Sequence, residues 1–106
     1  MRMNPEKVLT IAIPAYNASK FLPKCLRSLV DSNELERMEV LVIDDGSKES
    51  QDEVVRPYID RFPQSIQMIH KENGGHGSVI NKAAEIATGK YLKIFLRNQN
   101  EYWQNY

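Results

Sequence analysis

The chain has 106 residues, 42% of them hydrophobic and 26% charged, which is enough for one domain and too few for two. Lys plus Arg and Asp plus Glu both number 14, so the formal net charge is +0, and a sequence-wide attraction to nucleic acid or an anionic membrane is excluded. Cys25 is the one cysteine, no apolar run reaches the roughly eighteen residues a bilayer needs, and Met1 to Lys7 lack a secretory signal's apolar stretch; a soluble cytoplasmic domain without a disulfide is expected.

Val8 to Ile13 is a short apolar run stopped by Pro14, and predicts a buried strand. Ser19 to Val30 sets Phe21, Leu22, Cys25, Leu26 and Leu29 at helical spacing, with Ser19 as expected N-cap and Pro23 near the first turn. Glu39 to Ile43 predicts the second strand, followed by a turn at Asp44-Asp45-Gly46-Ser47. Ser50 to Arg61 predicts a helix that Pro57 should kink or shorten. Ile66 to His70 predicts a third strand, and Ser78 to Thr88 a third helix, capped by Ser78 and stopped by Gly89. Tyr91 to Leu96 predicts a fourth strand. The alternation implies an α/β domain: a Rossmann-like parallel sheet of about four strands with helices on both faces. Ligands of such sheets sit outside the carboxyl ends of the strands.

Three polar or glycine-rich loops follow those ends. In Pro14-Ala15-Tyr16-Asn17, the Tyr16 ring offers a stacking face for a base, or the segment is a plain strand-ending turn. A carboxylate of Asp44-Asp45-Gly46-Ser47 can accept from a ribose hydroxyl or base N–H, or both can serve the turn itself. Lys71 to Ser78 holds three glycines ahead of a helix, which suits a phosphate with His76 donating, or makes a flexible connector. No dinucleotide fingerprint, Walker-type phosphate loop or Gly-x-Ser-x-Gly elbow occurs. His70 and His76 lack partners at metal-ligand spacing, and Cys25 reads as an inert core thiol.

Together the loops resemble family 2 glycosyltransferases. Leu9 to Asn17 is similar to that family's opening strand and loop, Val42 to Ser47 to its second-strand motif, and Asn73 to Ser78 with Asn81-Lys82-Ala83 and Ala87 to Tyr91 to its third segment. The likeness covers about residues 8–95. It implies the N-terminal part of a GT-A fold that binds a nucleotide-diphosphate sugar, most often a UDP-sugar. By position, Pro14, Ala15 and Tyr16 would line the base and Asp45 would hold base or ribose. Asn73, Gly75 and His76 would contact the nucleotide or its phosphates.

The resemblance breaks after the fourth strand. Where the family has an Asp-x-Asp motif for Mn²⁺ or Mg²⁺, this chain has Leu96-Arg97-Asn98-Gln99-Asn100-Glu101, so no metal site and no catalytic residue is assigned. A truncated or interrupted single domain over residues 1–106, inactive alone and with an atypical tail at 96–106, is the expectation. The intact family member would transfer the sugar to an acceptor saccharide or lipid-linked saccharide with inversion, at the inner membrane face. A second expectation is a non-catalytic module that forms a homo-oligomer through an exposed sheet edge. An unrelated flavodoxin-like domain would share only the alternation.

Overall fold

The computed structural model describes residues 7–95. Four strands and three helices alternate: β1 (Leu9–Pro14), α1 (Leu22–Val30), β2 (Met38–Asp45), α2 (Asp52–Arg61), β3 (Ile66–Lys71), α3 (His76–Ile86) and β4 (Tyr91–Ile94), with a 3-10 turn at Leu35–Arg37 before β2. The sheet order is β3-β2-β1-β4 and every pair is parallel. Being covered on both faces, the two central strands are nearly continuous apolar runs, Leu-Thr-Ile-Ala-Ile and Val-Leu-Val-Ile. The edge strand β4 is exposed at Tyr91, Leu92 and Lys93 and buried only at Ile94.

Alternation along the strands divides the core into two layers. Ile11, Ile13, Val40 and Val42 face α1 and α2, where Leu22, Cys25, Leu26 and Val55 meet them. Ala12, Leu41, Ile43 and Ile94 face the opposite way, against Val79 and Ala83 of α3. At the amino end of the sheet, the buried Glu39 carboxylate accepts from Thr10 Oγ1 (2.8 Å), Thr88 N (2.8 Å) and Thr88 Oγ1 (2.9 Å). Gly89 N donates to Thr10 Oγ1 at 2.9 Å. This network lashes the α3–β4 connection to β1 and sets β4 beside it. Strand order therefore reverses at β1, and the carboxyl rim there is where ligands of such sheets collect.

Several local expectations are corrected. Ser19 does not cap α1, which starts at Leu22 after Phe21 without a side-chain cap, and Pro23 falls in the first turn where no N–H is needed. Ser78 does not cap α3, which starts two residues earlier, after Gly75 at φ 88°. Gly89 does not stop α3, since Ala87 turns extended there. Instead, a Cβ at Gly89 would lie 2.7 Å from Thr10 N, so glycine lets the chain cross β1 closely. Pro57 does not end α2, which runs through it to Arg61. Asp44 and Asp45 are the last residues of β2 rather than a loop, paired with His70 and Lys71. Leu96, the Arg97 to Glu101 segment and the tail to Tyr106 lie outside the described residues, as do Met1 to Glu6.

Candidate functional site

Parallel pairing brings the carboxyl ends of β1, β2 and β3 to one rim, with Pro14 opposite Ile43 and Asp45 opposite Lys71. The strand period sends the adjacent carboxylates of Asp44 and Asp45 to opposite faces of the sheet. They are two anchors with separate partners and do not form an acid/base pair.

Asp44 takes the face of α2. Its Oδ1 accepts from Ser47 N (3.0 Å) and Gln51 Nε2 (3.3 Å), and its Oδ2 lies 3.2 Å from His70 Nδ1. Ser47 Oγ in turn donates to Ala15 O (3.0 Å) and accepts from Asn17 N (2.8 Å). Gln51, only 1% exposed, donates to Ala15 O and accepts from Ala18 N. Asn17 adopts a left-handed φ of 49°, which bends the β1 loop back so that its Oδ1 meets Lys48 N at 3.3 Å. The loops after β1 and β2 are thus knitted into one body.

Asp45 takes the face of α3 and gathers the glycine-rich loop. Its Oδ1 accepts from Lys71 Nζ (2.8 Å) and Gly74 N (2.9 Å), its Oδ2 from Gly75 N (3.0 Å), and its carbonyl from Asn73 Nδ2 (2.9 Å). Burial pushes the Asp45 carboxyl up, but the Lys71 ammonium and the two N–H donors outweigh it and hold the group below the ordinary aspartate value. Lys71 Nζ also donates to Ser78 Oγ at 2.8 Å and to Glu72 O at 2.6 Å. Gly46 makes the approach of the two loops feasible: at φ 72°, a Cβ there would sit 2.6 Å from Asn73 N.

The anticipated residues divide by exposure. Tyr16 is 43% exposed, and Asn73, Gly75 and His76 are exposed, so all four present surface on the rim. Pro14 is half-buried and ends β1. Ala15 is fully buried with its N–H donated to Ile43 O, so it shapes the loop and offers a ligand no side-chain surface. Gln51, Lys71 and His70 were missed as site residues. Lys71 and His70 end β3 directly before the glycines, which could have singled them out; nothing in the sequence marks Gln51.

Cys25 is buried, and burial pushes its thiol up to about 12, so it remains an inert core group. Among the described residues no group of three His, Cys, Asp or Glu could hold a metal ion. Asp44 and Asp45 are each held by N–H donors, and Asp45 also by the Lys71 ammonium, so these two carboxylates do not fit a divalent cation. A cavity lined by Asp52, Val55, Arg56, Ile59 and His70 lies between α2 and β3. No helix of the described residues is long and apolar enough to cross a membrane.

A model of the family described as "Glycosyl transferase family 2" matches residues 10–95. The chain is 34% identical over 95 residues to an uncharacterized glycosyltransferase of Mycoplasma pneumoniae, covering 87% of this chain and 31% of that protein. It is 38% identical over 94 residues to one of Mycoplasma genitalium, covering 85% and 31%. Against the uncharacterized glycosyltransferase YibD of Escherichia coli the identity is 32% over 90 residues, covering 85% and 26%. The chain thus spans less than a third of the length of these curated relatives. The fold matches a mannosyltransferase of Pyrobaculum calidifontis, solved in complex with GDP-Man and Mn²⁺, with a TM-score of 0.74 at 22% identity over 86% of this chain and 27% of that one.

Proposed function

This chain belongs to glycosyl transferase family 2, and from that premise we propose that its rim binds the nucleotide-diphosphate half of a sugar donor, a UDP-sugar in the first instance. The observation that carries the proposal is the gathering of three loops around Asp45. Tyr16 stacks on the base. Asp45 Oδ2 accepts from Gly75 N at 3.0 Å, and a further lone pair of the carboxylate takes a base N–H or ribose O–H. Asn73 and His76, at the amino end of α3, receive the phosphates, where the helix dipole favours negative charge, and Gly75, whose N–H is held by Asp45, leaves open space beside them.

In a longer protein, the acceptor hydroxyl would attack the anomeric carbon as the bond to the nucleoside diphosphate breaks. The hydroxyl proton would pass to a base, and the configuration would invert. Acceptor saccharides or lipid-linked saccharides, and a cytoplasmic setting at the inner membrane face, belong to the same proposal. Among the described residues no cluster could hold Mn²⁺ or Mg²⁺, and this chain alone is expected to bind donor without transferring sugar.

Calorimetry with UDP, GDP, ADP and UDP-sugars tests the reading. Uridine ligands should bind best, and Tyr16→Ala should weaken them about tenfold, the loss of one base-stacking contact. Tyr16 is exposed, so the change leaves the core intact. No binding by any nucleotide, or an unchanged affinity in Tyr16→Ala, would remove the reading.

The 68% exposure of Tyr91, beside Leu92 on edge strand β4, supports a second reading as a self-associating module. A monomer by light scattering at high concentration would count against it.

A further inference from the structure

His70, next to last in the outer strand β3, has its ring between two carboxylates from different elements. Nδ1 lies 3.2 Å from Asp44 Oδ2, on β2, and Nε2 lies 3.0 Å from Asp52 Oδ1, in the first turn of α2. The two neighbours are unequal. The Asp44 side chain is only 9% exposed and its other oxygen holds Ser47 and Gln51. Asp52 Oδ1 is within ion-pair distance of Nε2, but the contact is not aligned as a hydrogen bond, and it is a buried acceptor with no donor. A buried acceptor in that state is costly unless a cation stands beside it. The ring itself is 54% exposed. Arg56 and Asp60 of α2 line the same cavity, and Met68 is its neighbour on the same face of β3.

A neutral imidazole has one N–H, so it can donate to only one of these carboxylates and turns a lone pair toward the other. The imidazolium has a donor on each nitrogen and fits both. We infer that His70 is a positioning residue, its protonated ring tying Asp44 to α2 and so stiffening the Asp44–Ser47–Gln51 lattice that fixes the β1 loop. Nothing in this requires His70 to touch a ligand. The effect runs from Asp44 through Ser47 Oγ and Gln51 Nε2 to the Ala15 carbonyl, one residue from the Tyr16 ring. The consequence for affinity rests on the donor-site reading above; the coupling within the loops does not.

Both halves are measurable on the chain as it stands. Amide proton–nitrogen NMR spectra of the unliganded chain between about pH 5.5 and 8.5 span the ordinary histidine range. The Ser47 amide and the Gln51 side-chain amide should follow the His70 ring with one shared midpoint, and His70→Gln should abolish that transition. UDP-glucose, a diphosphate diester, keeps its charge over this range. In a His76→Gln background, which removes the other imidazole from the phosphate site, it should bind about fivefold more tightly at the acid end than at the alkaline end, and adding His70→Gln should flatten the profile. Ser47 and Gln51 signals that stay still while the ring titrates overturn the coupling. A shared midpoint with pH-independent binding overturns the positioning role. A shared midpoint with no nucleotide-sugar binding at any pH overturns the donor-site reading and leaves the coupling intact.

Discussion

Asp45 shows how one side chain can organise a rim. Its carboxylate receives an ammonium and two backbone N–H groups from a segment that begins twenty-six residues later in the chain. Replacing it with Asn keeps the shape but removes the charge, and should destabilise the fold by about 1–3 kcal/mol at neutral pH, the scale of hydrogen bonds to a charged group. The sign with pH follows from the lowered value of this carboxyl. Its contribution is fully present above the ordinary aspartate value of about 3.9 and is lost as pH falls through the lower folded value. Urea denaturation should therefore separate wild type from Asp45→Asn at pH near 7, and the gap should close in strong acid. An equal gap at both pH values would show that the Asn costs stability by shape alone. Asp45 could be singled out in the sequence because turn chemistry follows an apolar run. Its partners could not, because a contact between Asp45 and Lys71 depends on β2–β3 register that local pattern does not contain. The same holds for Gln51, a polar residue buried only because the β1 loop folds over it.

Strands were legible at the level of elements, and the reason is burial. β1 and β2 are covered on both faces, so their apolar runs are unbroken and only their ends move by one or two residues. Helix ends were less legible. Ser19 and Ser78 carry the right side chain for a cap, but Ser78 Oγ donates to Gly75 O and accepts from Lys71 Nζ, so it is spent on the loop. Gly89 has the right residue type for a helix stop, but is needed for the crossing over Thr10. Pro57 was expected to kink or shorten α2. The helix runs on because Val55 is fully buried in the core and Val54, Tyr58 and Ile59 pack against the same cluster, which outweighs the missing N–H. Pro57 is itself exposed, so Pro57→Ala should restore the bond to Glu53 O and remove the ring's clash without disturbing packing. A gain of about 1–2 kcal/mol is expected in chemical denaturation, once the lost rigidity of the unfolded chain is subtracted. A loss of stability would mean that α2 depends on a bend at this position.

Across the whole molecule, the chain belongs to glycosyl transferase family 2 and spans less than a third of the length of the curated relatives it matches. Its four parallel strands present a complete set of first, second and third loops, while the fourth strand runs directly into residues outside the described region. Donor affinity should accordingly be insensitive to metal. Millimolar Mn²⁺ should change the dissociation constant of UDP by less than about twofold, because Asp44 and Asp45 are already hydrogen-bonded and no metal cluster forms among the described residues. A larger enhancement would require ligands in the segment after Phe95. The central claim, that the β1, β2 and β3 loops grip one nucleotide together, is tested most directly by following every backbone amide during a titration with UDP. Concerted shifts are expected at residues 15–17, 45–47 and 73–77, with one common dissociation constant and little change near Thr10, Glu39 and Thr88 at the other end of the sheet. Shifts confined to one loop, or centred on the cavity between α2 and β3, would contradict it.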